Sequence, residues 1–185
     1  MRKIILNLAM TLNGFIEGPD GEIDWLVRDP SVDFGDILNE IISDKDAIFY
    51  GRISYEKWGN VTPENASPKV ESAYKRTHAI QKYVFSKSQT GDDTKAVFIN
   101  SGIEEKVLEL KAQPGKNIWL YGGADIAATF LGLGLIDEFR LAVHPVVIGK
   151  GKALFENIEG YHQLKLIGVE TYDSGVILLR YNAGP

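Results

Sequence analysis

The chain has 185 residues, of which 44% are hydrophobic and 24% charged, the make-up of an ordinary globular protein; a single domain over residues 1–185 is expected rather than a disordered or fibrous chain. The formal net charge of −5 argues against a broad nucleic-acid surface, and the absence of cysteine excludes a disulfide, a thiolate zinc site and a cysteine nucleophile. His78, His144 and His162 are scattered, so no metal site is expected, and the apolar run after Met1-Arg2-Lys3 stops at Asn7, short of a signal-peptide core or a membrane span, so the expectation is a cytoplasmic protein with no membrane partner.

Residues 4–10 read as a buried strand, and residues 14–29, rich in Gly, Pro and Asp, as a long loop. Phe34, Ile37, Leu38, Ile41 and Ile42 recur on one face of a helix. Residues 47–50 form a short apolar strand, and a helix can start at Gly51. A loop at 63–68 precedes a polar helix ending at Ala79, and residues 82–85 and 96–99 are strand-like. Ser101 with Glu104 has the spacing of a capping box opening a helix to Ala112. Residues 118–121 predict a strand, Gly122-Gly123 a turn, and residues 124–133 a helix. A long strand follows over 138–147, and residues 164–172 and 176–181 flank the hairpin signal Asp173-Ser174-Gly175. Strand–helix alternation predicts an α/β fold with a mostly parallel central sheet, flanking helices and a C-terminal antiparallel hairpin. Such sheets bind ligands beyond the carboxyl ends of their strands, here after Met10, Tyr50, Phe85 and Tyr121.

Three of these strand ends carry residues suited to phosphate. Tyr121-Gly122-Gly123-Ala124-Asp125-Ile126 runs from a strand through two glycines into a helix start, where backbone N–H groups point outward. Asp125 is expected to cap that helix; the segment reads equally as a tight turn needing positive φ. Gly51-Arg52-Ile53-Ser54 repeats the pattern, with an arginine at the positive end of a helix dipole, where a bound phosphate reverses the cost and a solvated arginine is the plain alternative. Phe85-Ser86-Lys87 offers a hydroxyl and a cation, or simply a polar loop. No acidic residue directly follows these strands to receive a ribose hydroxyl, which favours NADPH over NADH. Gly149-Lys150-Gly151-Lys152 lacks the spacing of a phosphate loop and reads as a basic turn. The long loop from Thr11-Leu12-Asn13-Gly14 to Trp25 has the length and aromatics to cover a flat ring.

In order and spacing these segments resemble the dihydrofolate reductase fold. The resemblance is nearer to the C-terminal reductase domain of the riboflavin-synthesis deaminase–reductases and their stand-alone relatives. It rests on Leu12-Asn13-Gly14, Gly51-Arg52 with Tyr55-Glu56, Tyr121-Gly122-Gly123-Ala124, Leu135-Ile136-Asp137-Glu138 and His144-Pro145-Val146-Val147-Ile148-Gly149, and spans nearly the whole chain. It implies an NADPH-dependent reductase and a homodimer. It also implies that the cofactor is held by Gly51, Arg52, Ile53, Ser54, Phe85, Ser86, Lys87, Tyr121, Gly122, Gly123, Ala124, Asp125 and Ile126. The reaction expected is hydride transfer to a small heterocyclic or ribosylamino-pyrimidine substrate, with dihydrofolate reduction or a non-catalytic nucleotide-binding module as alternatives. Thr11 and Asn13 are expected to contact substrate or nicotinamide, and Trp25 and Phe34 to wall the pocket. Those reductases usually carry Asp where this chain has Asn13. Asp36, with Asp33 second, is the candidate acid by analogy with the helix carboxylate of the dihydrofolate reductases, provided that burial raises its pKa; both also read as helix-start carboxylates.

Overall fold

The computed structural model describes residues 1–88, 91–92 and 95–184. In chain order the elements are β1 (Ile4–Thr11), β2 (Phe15–Glu17), α1 (Phe34–Ile42), β3 (Lys45–Gly51), α2 (Arg52–Trp58), α3 (Pro68–Ala79), β4 (Gln81–Phe85), β5 (Gly91–Asp92), β6 (Val97–Ile99), α4 (Ile103–Ala112), β7 (Asn117–Gly122), α5 (Ala124–Gly132), β8 (Glu138–His144), β9 (Lys152–Ala153), β10 (Leu164–Thr171) and β11 (Ile177–Ala183). The fold is α/β with a mostly parallel central sheet and an antiparallel C-terminal hairpin, as the alternation of patterns predicted. The backbone divides into two compact units, residues 1–4 with 30–121 and residues 5–29 with 122–185.

In the first unit the strands lie in the order β7-β3-β4-β6-β5. β3 pairs with β4 and β4 with β6 in parallel, while β5 runs antiparallel to β6. Ala47, Ile48, Phe49 and Tyr50 are all buried, the continuous apolar run of a strand covered on both faces. The core around them includes Leu38, Ile48, Tyr50, Val84 and Trp119. α1 begins where the Asp33 carboxylate accepts the N–H of Gly35 at 2.7 Å and turns Leu38 and Ile42 inward. α3 has Ser67 as N-cap and Pro68 in its first turn, where the missing proline N–H costs nothing. Its C-terminal end is held by the buried Lys82 ammonium, which donates to the carbonyl of His78 at 2.7 Å, a cation where the helix dipole wants one. Arg2 is buried too; its Nε donates to the Lys116 carbonyl at 2.6 Å and its guanidinium pairs with Asp46.

In the second unit the order is β10-β11-β8-β1. β1 and β8 are parallel, with Thr11 level with His144, and β11 runs antiparallel to both β8 and β10. β2 and β9 form a separate two-stranded sheet inside segments expected to be irregular. Three residues and two residues are too few for a period-2 pattern to show in a sequence.

The start of α4 corrects an expectation. Its N-cap is Gly102 at φ 58°, not Ser101, and the Ser101 hydroxyl bonds to the Asn100 side chain at 3.3 Å. A capping box needs an extended serine directly before the helix, and the left-handed glycine pushes Ser101 out of that place.

Candidate active site

The register of the first unit sets two of the expected segments side by side. Gly51 of β3 is paired with Phe85 of β4, so Arg52 and Ser86 leave neighbouring parallel strands at the same level. Gly51 is the N-cap of α2 in an extended conformation, and no side chain caps that helix. Its first-turn N–H groups are therefore left to water or a ligand. Ser54 is buried, Ile53 and Lys87 are exposed, and Ser86 is buried with its Oγ accepting the Ser88 N–H at 3.3 Å. One guanidinium nitrogen of Arg52 bonds to both carboxylate oxygens of Glu56, at 2.7 and 2.8 Å. Both partners are well exposed, and pairs of this kind hold by about 0–1 kcal/mol, so a phosphate group can compete for the arginine. Behind these strand ends stands an aromatic wall. The ring of Tyr50 lies 4.7 Å from that of Tyr121 and 5.8 Å from that of Tyr55, and burial pushes the Tyr50 hydroxyl well above its ordinary pKa, leaving it neutral.

In the second unit Gly122 has φ +109°, a conformation that side-chain-bearing residues rarely adopt, and the Gly122–Gly123 peptide bond is cis. Gly123 is the N-cap of α5, again with no side-chain cap, so the donors of Ala124, Asp125 and Ile126 open a helix of nine residues. Asp125 does not cap it, contrary to expectation: it sits inside the first turn, largely exposed, with Lys152 Nζ at 3.3 Å. An N-cap carboxylate must stand before the helix to reach its N–H groups.

Thr11, Asn13 and Trp25 also fall in this unit. Thr11 is fully buried; its hydroxyl accepts the Phe15 N–H at 2.9 Å and lies 2.9 Å from the Asn13 side-chain oxygen. The Asn13 amide donates to the Ile148 carbonyl at 2.8 Å and accepts the Ile148 N–H at 3.3 Å. Asn13 thus clamps the first loop to residue 148 as an amide can and an ionised carboxylate cannot, because the carboxylate has no hydrogen to give. Trp25 is buried against His144, ring centroids 5.5 Å apart and edge to face, and its indole N–H has no hydrogen-bond partner among the described residues.

His144, which the sequence offered only as part of a motif, fastens the loop that contains Val27: its Nδ1 accepts the Val27 N–H at 3.0 Å. Burial lowers its pKa from the ordinary 6.5. The unfolded chain therefore binds this proton more readily than the native state. The stabilisation is complete above pH 6.5 and is lost as the pH falls below that value towards the lowered native pKa. Acidification is expected to strip hydrogen-exchange protection from the Val27 amide before global unfolding, and His144→Gln to flatten that pH dependence; protection unchanged by pH would contradict the latch.

The structure does not gather every expected residue. Phe34 is half-exposed and packs beside Tyr74 at 6.4 Å. The acid role expected for Asp36 was tied to burial, and that condition is not met: its side chain is 60% exposed and ion-paired with Lys69 of α3. Asp33 is occupied as the N-cap of the same helix. Among the described residues no three His, Asp or Glu side chains cluster as metal ligands, and no helix is long and apolar enough to cross a membrane.

The chain is similar to known proteins over most of its length. The family model for the RibD C-terminal domain matches residues 2–178. The uncharacterized protein YyaP of Bacillus subtilis (strain 168) is 50% identical over 182 residues, covering 98% of this chain and 95% of that one. A solved structure from Shewanella sp. PV-4, provisionally assigned to riboflavin biosynthesis, superposes with a TM-score of 0.79 at 21% identity over the full length of both chains. The diaminohydroxyphosphoribosylaminopyrimidine deaminase/5-amino-6-(5-phosphoribosylamino)uracil reductase of Thermotoga maritima gives 0.72 at 18% identity. That match takes in 99% of this chain but 57% of the Thermotoga one, so the chain spans little more than half of that protein.

Proposed function

The chain belongs to the RibD C-terminal domain family, and from that premise we propose that it is a reductase that uses NADPH to reduce a small heterocyclic or ribosylamino-pyrimidine substrate. The observation that carries this reading is the pair of glycine-led helix starts, Gly51 before α2 and Gly123 before α5, both without a side-chain cap. Backbone N–H groups at such ends receive phosphate oxygens. The first is flanked, at the level set by the Gly51–Phe85 pairing, by Arg52, Ser54, Ser86 and Lys87, two cations and two hydroxyls suited to a 2′-phosphate.

In this proposal Gly51, Arg52, Ile53 and Ser54 with Phe85, Ser86 and Lys87 hold one part of the cofactor. Tyr121, Gly122, Gly123, Ala124, Asp125 and Ile126 hold another. Bound NADPH supplies the hydride, and an acceptor C=N or C=O gains it at carbon and a proton at the heteroatom. Thr11 and Asn13 act through the loop they fix: the hydroxyl and amide are spent on Phe15 and Ile148, so they shape the substrate side and fix it before binding. Trp25 keeps a buried donor available for a ligand. Asp36 is left outside the chemistry, because its carboxylate is exposed and ion-paired with Lys69.

The test is NADPH oxidation by the full chain with 5-amino-6-(5-phosphoribosylamino)uracil, the substrate named for the Thermotoga enzyme's reductase, and in parallel with dihydrofolate. Turnover with the pyrimidine, retained in Asp36→Asn, is expected. Turnover with dihydrofolate alone would move the substrate assignment. Tight NADPH binding with no oxidation across related pyrimidines would leave a nucleotide-binding module.

A further inference from the structure

Asn13 is the one asparagine of the chain that a glycine follows. That pairing carries chemistry of its own. With no Cβ on the next residue, the backbone nitrogen of Gly14 has open access to Cγ of the Asn13 amide, and glycine bends freely enough to bring the two together. Asn13 is also exposed, so water reaches the bond that would break and the ring that would form.

The native loop holds the reactants back. Residues 11–14 make a turn in which the Gly14 N–H donates to the Thr11 carbonyl at 3.0 Å, so the attacking nitrogen keeps its proton in a hydrogen bond. Gly14 itself stands at φ +86°. The Asn13 amide is held at both ends. Its Nδ2 donates to the Ile148 carbonyl at 2.8 Å, and its Oδ1 accepts the Ile148 N–H at 3.3 Å and the Thr11 hydroxyl at 2.9 Å. On either side the Leu12 N–H donates to the Val146 carbonyl and the Leu154 N–H to the Gly14 carbonyl, both at 2.8 Å. Several of these bonds must open together before the ring can close.

We propose that Asn13–Gly14 is a self-modification site, gated by opening of this loop, whose reaction permanently releases the clamp on residue 148. In the open loop the Gly14 nitrogen gives up its proton and bonds to Asn13 Cγ. The Cγ–Nδ2 bond breaks, and Nδ2 takes a proton and leaves as ammonia. Water then opens the five-membered ring. Addition at Cγ breaks the new bond and leaves aspartate. Addition at the main-chain carbonyl carbon of residue 13 breaks its bond to the Gly14 nitrogen and leaves isoaspartate. No oxidant or reductant takes part. Either product carries a carboxylate with no hydrogen for the Ile148 carbonyl, so each event is a lasting loss of that bond. The converted fraction records the time that the loop has spent open. The proposal does not rest on the reductase reading.

Peptide mapping by mass spectrometry, with enzymatic methylation to detect isoaspartate, tests it on the full chain incubated at neutral and mildly alkaline pH. Residue 13 is expected to accumulate both products, faster at the higher pH. Asn65, which is exposed and at φ 58° but precedes alanine, should stay an amide. The native rate should be at least about tenfold below that of the chain unfolded in urea. Thr11→Val, which takes the hydroxyl from both Asn13 and Phe15, should speed the native reaction several-fold. Should that variant not fold, a series of urea concentrations below unfolding replaces it, and the wild-type rate should climb in step with hydrogen exchange of the Gly14 and Leu154 amides. Asn13→Asp, the same as one product, should keep its circular dichroism and lose exchange protection at those two amides. Equal rates in native and unfolded chain, conversion confined to the unfolded chain, or full loop protection in Asn13→Asp overturns the proposal.

Discussion

Replacing Gly122 with valine is expected to weaken NADPH binding by at least about tenfold and to lower the melting temperature by a few degrees. Gly122 stands at φ +109° between β7 and α5. Residues with a Cβ reach this region only under strain of about 1–3 kcal/mol, and β-branched ones least readily. Space is not the obstacle, since a Cβ built there meets only a Leu8 methyl at 3.8 Å. The variant must either carry the strain or turn the chain differently, and a changed turn re-aims the N–H groups of Ala124, Asp125 and Ile126 that are proposed to meet the cofactor. Gly132→Ala is the control. That residue ends α5 with open space around a built Cβ and no positive φ, so affinity should hold and stability rise slightly. Fluorescence titration with NADPH, beside thermal unfolding, checks both variants. Valine at 122 with undiminished affinity would remove this turn from the site.

Arg52→Ala and Lys87→Ala are each expected to raise the NADPH dissociation constant by roughly ten- to a hundredfold, with a smaller effect on NADH. A charge-assisted bond to phosphate is worth about 1.5–3 kcal/mol, whereas the existing Arg52–Glu56 pair is worth about 0–1 kcal/mol. The two roles of Arg52 therefore separate by magnitude. An arginine that only braces Glu56 would change stability by a few tenths of a kcal/mol and leave affinity alone. Affinity that falls with salt in the wild type and less steeply in each variant would show that the lost interaction was ionic. Equal losses for NADPH and NADH would place these cations at the pyrophosphate rather than at a 2′-phosphate.

The parts of the fold legible in the sequence are those fixed by local chemistry. The strand–glycine–helix junctions at residues 51 and 123 were visible because a buried run, a glycine and a helical period follow one another within ten residues. The hairpin at Asp173-Ser174-Gly175 was visible for the same reason, with Gly175 at φ +84° closing the turn. What stayed hidden depends on contacts far along the chain. The clamp between Asn13 and Ile148 joins residues 135 positions apart, and the latch between Val27 and His144 joins residues 117 apart. No spacing rule reaches that distance. The clamp also accounts for the asparagine that departs from the riboflavin reductases' usual aspartate, since the bond to the Ile148 carbonyl needs an N–H. At Ser101 and Asp125 the right residue types stood one or two places from where a cap must be, an offset that residue type does not reveal. The exposure of Asp36 stayed hidden because an acidic residue in a first helical turn looks the same whether the helix turns it inward or, as here, towards Lys69 and water.

Everything proposed for the activity depends on the level ends of β3 and β4 receiving a phosphorylated dinucleotide. Calorimetric titration of the full chain with NADPH and NADH, repeated on the Arg52→Ala/Lys87→Ala double variant, measures this most directly. The expected result is NADPH binding at least about tenfold tighter than NADH in the wild type, with the preference erased in the variant. No heat from either nucleotide, or equal affinities that the double variant leaves untouched, would contradict the account.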